Sequence, residues 1–437
     1  MTELTKRGIA IFGGGYIGLV TGACFAELGH RVVVRDIDPE KVRILRSGDV
    51  PIYEPGLGDL IAQNKERLTF TLDSAEAIHE AEVAYVCVDT PPTPSGDADL
   101  SRVWDVVDTL RDAAHLKAVV VKSTVPVGTG TRVRAALDEA GLGHVAYASN
   151  PEFTAEGTAV RDFMRPDRVV IGTDDPATAR LLGELHHGVD GPVETMDVHS
   201  AEMVKLASNA LLATKISFIN EIATVCEATG ADIRQVARAV GMDHRLGPHF
   251  LAAGLGYGGS CFPKDSRALR ALASNSGYPF QLLGSVIAVN ELQPRRAVQR
   301  LKAELGGSLK GRRIAVLGMT FKAHTDDMRE APATVIAARL LAEGAEVHCW
   351  DPMGRPDPEA QPWSSARRLP TPVEAVAGAD AAIIATEWPQ LTEVDWAAAG
   401  DAMRRPLLLD GRGLLDARTL AERGFTVMGV GRATVRP

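Results

Sequence analysis

The chain has 437 residues, 45% of them hydrophobic and 24% charged, with a formal net charge of −9. That length holds two or three domains. The mild negative balance excludes an extended nucleic-acid surface but allows an anionic small molecule in a locally basic pocket, and no apolar run approaches the roughly 20 residues of a membrane span.

The amino terminus, MTELTKRGIAIFG, enters a strand almost at once and has no signal-peptide layout. Ile9 to Phe12 reads as a short apolar strand, followed by a glycine turn, a helix rich in small residues, and a second strand from Arg31 to Arg35 that ends at Asp36. This is a βαβ unit of about 30 residues. Gly13, Gly15 and Gly18 form G-x-G-x-x-G directly after the strand. The first glycine permits the tight turn, the second lets a pyrophosphate approach, and the third lets the helix pack on the strand. Asp36 stands where a carboxylate accepts hydrogen bonds from ribose hydroxyls and repels a 2′-phosphate, which favours NAD over NADP. The competing reading is a glycine-rich turn without a ligand.

Further strands are expected at Val83 to Val88, Ala118 to Lys122 and Val169 to Gly172, separated by helical segments. That alternation predicts a mostly parallel, doubly wound α/β sheet. From Ser200 the pattern changes. SAEMVKLASNALLATKISFINEIATVCEATG reads as one proline-free helix of roughly 45 Å. It is apolar on most of its circumference and so is expected to be buried, shared with another domain or subunit. Lys205 and Asn209 fall four apart on it, on one face. Helical pattern continues to Leu305, and LGGSLK marks a boundary.

The opening theme then returns. RRIAVLGMTFKAHTDDMREAPATVIAARLLAEGAEVHCWDP is again strand, Gly318, helix, Gly344, strand and Asp351, so Gly318 matches Gly13 and Asp351 matches Asp36. MTFKA stands where GGYIG stood, which predicts a second Rossmann-like domain with a different ligand. Strands at Ala381 to Ala385 and Leu407 to Asp410 complete it. The expected division is 1–199 for the dinucleotide domain, 200–308 for a central helical domain, and 309–437 for the second Rossmann-like domain.

Five cysteines, Cys24, Cys87, Cys226, Cys261 and Cys349, are scattered without a CxxC pair. This fits a reduced cytoplasmic chain without structural zinc. No His/Cys/carboxylate cluster has metal-ligand spacing, and His186-His187 reads as a surface pair. The ordinary reading of a lone cysteine is a small buried hydrophobe, which suits four of them. Cys261 is different. It lies in GYGGSCFPKD, a segment read as irregular, beside Lys264 and Asp265, groups able to ionise a thiol and move protons around it. On these residues alone a catalytic thiol and a structural one both remain open. Glu152 and Glu156 in SNPEFTAEG read, taken alone, as a solvated face.

GGGYIG, PIYEPGL (51–57), CVDTPPTPSGDADLS (87–101), KSTVPVGT (122–129), SNPEF (149–153), the Lys205/Asn209 helix, GYGGSCFPKD, GMTFKAHTDDMRE (318–330) and DGR (410–412) occur in this order over nearly the whole chain. Together they resemble the UDP-glucose 6-dehydrogenase family, and the SCFPKD form is closer to the UDP-glucose branch than to enzymes for GDP-mannose or UDP-N-acetylmannosamine. The resemblance implies oxidation of the sugar C6 alcohol to a carboxylate with two NAD in succession. Cys261 would capture the aldehyde as a thiohemiacetal and carry it to a thioester for hydrolysis. It gives Lys205 and Asn209 the oxyanion, Asp265, Thr124 and Glu156 the protons, and Glu152 the substrate and the lysine. It places the cofactor also against Tyr16, Ile17, Thr90, Thr124, Glu156 and Lys264. It places the UDP-sugar against Phe153, Phe250, Gly258, Phe262, Phe321, Lys322 and Arg412, with Lys322 and Arg412 meeting charge. Arg245 would reach the substrate across a homodimer interface formed by the long helix. One departure stands out: Thr154-Ala155 replaces the Leu-Arg usual between Phe153 and Glu156, which bears on loop mobility, affinity and sugar preference. Two other readings are an enzyme for a different nucleotide sugar and a non-catalytic NAD or nucleotide-sugar sensor; a sensor needs the glycines but not the thiol.

Overall fold

The computed structural model describes residues 6–111, 113 and 115–437. Residues 1–5, part of the amino-terminal reading, lie outside it. The chain resolves into two compact units, one of residues up to Ser208 with Arg267–Tyr278, the other of Asn209–Ser266 with Pro279–Pro437.

The first unit carries β1 (Gly8–Phe12), β2 (Arg31–Arg35), β3 (Leu68–Thr71), β4 (Val83–Val86), β5 (Ala118–Val121), β6 (Ala146–Ser149), β7 (Val169–Gly172) and β8 (Val193–Met196). They form one sheet in the order β3-β2-β1-β4-β5-β6-β7-β8, parallel except where β6 meets β7. Helices cover both faces, and the period-2 alternation of a strand shows in the cores. Ile9 and Ile11 enter one apolar cluster, and Ala10 and Phe12 enter the other. The strand order reverses between β1 and β4, the switch point where open α/β sheets bind ligands.

The second unit carries β9 (Arg313–Leu317), β10 (Glu346–Trp350), β11 (Arg367–Arg368), β12 (Ala381–Ile384), β13 (Leu407–Asp410) and β14 (Thr426–Gly429), ordered β11-β10-β9-β12-β13-β14. Its first strand repeats the arrangement of β1: Ile314 and Val316 face one core, Ala315 and Leu317 the other. The switch point falls between β9 and β12. The fold is therefore α/β with two Rossmann-like doubly wound sheets, joined by a 32-residue helix, Val198–Thr229.

The long helix leaves Leu211, Phe218 and Val225, seven residues apart, 64%, 54% and 55% exposed in the single chain. One expectation needs correction. His186-His187 is not a surface pair, because only His187 is exposed. The His186 ring ends a helix with Nδ1 2.8 Å from Leu182 O and packs on Phe25, their ring centroids 5.2 Å apart. Phe25 in turn packs edge-on against Phe163. Burial, with the Lys122 charge nearby, lowers the His186 pKa to about 4. Between the unfolded value of about 6.5 and about 4, the unfolded chain takes a proton that the folded chain refuses. Stability therefore falls with pH across that window, by roughly 3 kcal/mol in full. Urea unfolding at pH 7 and pH 4.5 should show a shallower pH dependence in His186→Phe than in the parent; equal slopes would refute this.

Candidate functional site

The turn after β1 has the geometry its glycines require. Gly13 has φ +107°, and a Cβ there would sit 2.5 Å from Cys87 O. A Cβ on Gly18 would sit 1.8 Å from Gly13 O, so the helix lies directly on the turn. Gly15 precedes the helix Tyr16–Glu27 and offers no side-chain cap, and a Cβ built on it meets nothing within 4 Å. A helix amino end open in this way is a cradle for a pyrophosphate. Asp36 lies at the end of β2, its Oδ2 taking the Gly14 amide at 2.6 Å and its Oδ1 the Asp38 amide at 2.8 Å. These residues fit a dinucleotide. Ile17 packs against the core behind the turn. Beyond β4 and β5, the Thr90 hydroxyl donates to Thr124 O at 2.8 Å, bringing these two residues together.

Tyr16 donates its hydroxyl to Glu54, which is buried. The same carboxylate takes the amides of Gly157 at 2.6 Å and Ala159 at 2.7 Å. Glu54 thus ties the fingerprint helix to the loop that bears Glu156. Its role was missed, although a carboxylate inside apolar PIYEPGL was the available signal.

Glu152 and Glu156 do not share a helical face, because beyond Ser149 the SNPEFTAEG segment has neither helix nor strand and turns at 156–158 before the helix Ala159–Met164. Glu152 is buried, and its Oε1 accepts from Lys205 Nζ at 2.7 Å, with both side chains only 5% exposed. Its Oε2 accepts from the Thr154 amide and from the Thr154 hydroxyl, each at 2.8 Å. Burial alone would raise the Glu152 carboxyl; the Lys205 charge and these hydrogen bonds outweigh it and hold the pKa below the ordinary value. Phe153 lies beside the pair, with the Arg168 guanidinium 3.7 Å from its ring centroid.

In the second unit, Asn209 donates to Asp265 Oδ2 at 2.6 Å, and Lys264 Nζ pairs with Asp265 Oδ1 at 2.6 Å. Asp265 is fully buried. The segment around Cys261 is less irregular than expected. FPKD is the first turn of the helix Phe262–Asn275, because proline is tolerated there, and Cys261 O accepts the Asp265 amide at 2.8 Å as that helix begins. A helix amino end presents positive potential to a thiol. Cys261 is partly exposed, whereas the other four cysteines are buried. Burial pushes the Cys24 and Cys87 thiols up to about 12 and Cys349 up to about 11.

The glycines ahead of Cys261 allow close backbone approach. A Cβ on Gly258 would lie 2.4 Å from Glu330 O, and the Gly259 amide donates to Arg329 O at 2.9 Å. Phe262 sits between Phe250 and Tyr257, at centroid distances of 6.1 and 5.9 Å. Lys322 lies 5.4 Å over the Phe321 ring. Arg412, expected to meet substrate charge, uses three of its five N–H groups within the protein: Nε on Ala385 O at 2.8 Å, Nη1 on Gly256 O at 3.4 Å and Nη2 on Phe321 O at 3.0 Å, and it pairs with Glu387 at 3.3 Å. It binds three loops together. Arg245 is exposed and pairs with Asp243 at 2.6 Å. A cavity of about 560 Å³ in this unit is lined by Arg234, Arg238, Leu251, Arg412 and Arg432 among others; of the expected site residues only Arg412 borders it.

The turn after β9 repeats the first. Gly318 donates to Trp350 O at 2.7 Å, as Gly13 does to Arg35 O at 2.8 Å. The matching acid differs. Asp351 Oδ2 takes the amides of Met319 and Thr320 and the Trp388 indole N–H, and its Oδ1 takes the amides of Met353 and Gly354. It is an internal anchor with its acceptor capacity used.

The profile of the UDP-glucose/GDP-mannose dehydrogenase family matches this chain in three parts: the NAD binding domain at 7–190, the central domain at 199–292 and the UDP binding domain at 315–417. The UDP-glucose 6-dehydrogenase TuaD of Bacillus subtilis is 44% identical over 435 residues, 98% of this chain and 94% of that protein. The UDP-glucose 6-dehydrogenase of Pseudomonas aeruginosa is 44% identical over 441 residues, 97% of each. A solved UDP-glucose dehydrogenase from Pyrobaculum islandicum superposes with a TM-score of 0.91 at 39% identity, covering 99% of both chains.

Proposed function

The chain belongs to the UDP-glucose/GDP-mannose dehydrogenase family, and from that premise we propose that this NAD-dependent oxidoreductase converts UDP-glucose to UDP-glucuronate at C6. The observation that carries the proposal is the buried Lys205, held by Glu152 and one helical turn from Asn209, which is itself bonded to the Asp265 of the cysteine helix. NAD, when bound, takes up the hydride of each oxidation. Lys205 and Asn209 are then the donors to the sugar O6 as it gains negative charge. Cys261 adds to the C6 aldehyde, forming a C–S bond, and the resulting thiohemiacetal hydroxyl loses its proton as C6 loses the second hydride. Water cleaves the thioester and releases the thiolate. Asp265, Thr124 and Glu156 orient that water and carry protons.

On this reading residues 1–199 hold NAD, with Tyr16, Ile17, Thr90 and Lys264 as contacts, residues 200–308 supply the long helix and the thiol, and residues 309–437 hold the UDP part. Phe153, Phe250, Gly258, Phe262, Phe321, Lys322 and Arg412 contact the substrate. The exposed Leu211, Phe218 and Val225 fit a helix that pairs with a second copy, bringing Arg245 to the other copy's substrate. No helix among the described residues is long and apolar enough to cross a membrane.

The test is NADH formed per UDP-glucose consumed, run to completion. Two NADH per sugar is the expected result. One would mean that the enzyme stops at the aldehyde, and none would move the search to other UDP- and GDP-sugars, a reading to which the change at Thr154-Ala155 gives weight.

A further inference from the structure

We infer that Thr154 is a positioning residue for the Lys205–Glu152 pair, its hydroxyl fixing the Glu152 carboxylate so that Oε1 faces the Lys205 ammonium. This rests on the role proposed above for Lys205. The Glu152 Oε2 is gripped twice from one residue, by the Thr154 amide and by the Thr154 Oγ1, each at 2.8 Å. The opposite oxygen then meets Lys205 at 2.7 Å. The last carboxylate torsion is intrinsically broad; with Lys205 on one oxygen and the Thr154 amide on the other, the Thr154 hydroxyl adds a further donor that narrows it. Threonine suits the task because its branched Cβ restricts χ1.

The loop gives the hydroxyl a fixed base. Asp162 holds the far side, taking the Ala155 amide at 3.0 Å and the Thr158 hydroxyl at 2.8 Å. On the near side, the Phe153 ring lies under the Arg168 guanidinium. The leucine of the resembling motif has no side-chain donor, so this chain carries a hydrogen bond that the motif does not encode. The charged and titratable groups that act on Glu152 are Lys205 from the long helix, Lys122 from the end of β5, and the Cys87 thiol beyond β4. A hydrogen bond donated to the charged form of a carboxyl favours that form, so its loss moves Glu152 protonation to higher pH.

The test compares Thr154→Val, which keeps shape and loses the donor, with Thr154→Ser, which keeps the donor. In turnover with UDP-glucose, Thr154→Val is expected to lower kcat about tenfold with KM changed less than about twofold, and to move the acidic limb of kcat upward in pH. Thr154→Ser should restore both. A second arm needs no substrate: the 13C resonance of the Lys205 Cε, assigned with Lys205→Arg, should report the Glu152 titration at higher pH in Thr154→Val than in the parent or Thr154→Ser. Should Thr154→Val fail to fold, Thr154→Ala carries both arms. A parent-like titration in the valine variant, or a serine variant that behaves like valine, overturns the inference. A shifted titration in a protein that leaves UDP-glucose untouched upholds the inference and removes the proposed substrate instead.

Discussion

Cys261→Ser should lower steady-state NADH production from UDP-glucose by about 10³-fold or more, while the protein unfolds at the parent's temperature. The size follows from the role proposed for the thiol. A serine hydroxyl at the start of the helix Phe262–Asn275 is a far weaker nucleophile near neutral pH than a thiol, and its ester would be a poorer acyl donor to water than a thioester. The first oxidation needs no covalent capture, so the variant should retain a slow, reversible first hydride transfer and lose the second. Rapid-quench assays that resolve aldehyde from acid will separate the two steps. A serine variant that still forms two NADH per sugar at near the parent rate would remove Cys261 from the chemistry. The partly exposed sulfur, against four buried ones, makes the substitution mild for the fold.

Breaking the Lys205–Glu152 pair should act on stability and turnover together. Both side chains are 5% exposed and their charged atoms are 2.7 Å apart. Glu152→Leu strands a buried ammonium without its counter-charge, which is expected to cost about 3–5 kcal/mol, and the lysine escapes that cost only by giving up the charge that turnover needs. The expected fall in kcat is at least about 100-fold. The double variant Glu152→Leu, Lys205→Met removes the stranded charge. It should regain most of the stability in denaturant unfolding and none of the activity. A single variant within about 1 kcal/mol of the parent would mean that the pair is not coupled in the folded protein.

What could be read from the sequence was set by chemistry local in the chain. The first βαβ unit and its echo at 313–351 were legible because an apolar strand, a glycine turn, a helix and a terminal acid follow one another along one continuous stretch of chain. The strands LTFT, AYAS and VETM were not: each mixes polar residues into its four positions, unlike the equally short VAYV and AVVV, and β8 faces solvent along most of its length. Glu152 shows the same limit within the site. Its spacing from Glu156 suggested a solvated face, and its burial is decided by Lys205, far away in sequence. His186 is similar: the ring that covers it belongs to Phe25, on another helix. The FPKD turn was readable in principle, since proline followed by an acid is a helix-start signal, but the preceding glycines masked it.

On the proposed reading, the two matched acids also bear on how the chain sorts its ligands. Asp36 receives two protein amides and keeps lone pairs to offer, whereas Asp351 is encircled by Met319, Thr320, Met353, Gly354 and Trp388. An adenosine ribose set against Asp351 as against Asp36 would have to displace donors already in place. On the proposed reading cofactor is therefore disfavoured at the second sheet, and the UDP proposed for that sheet would seat its own ribose away from Asp351. Installing glycines in MTFKA would not reverse that allocation; the Thr320 and Trp388 donors would have to go as well.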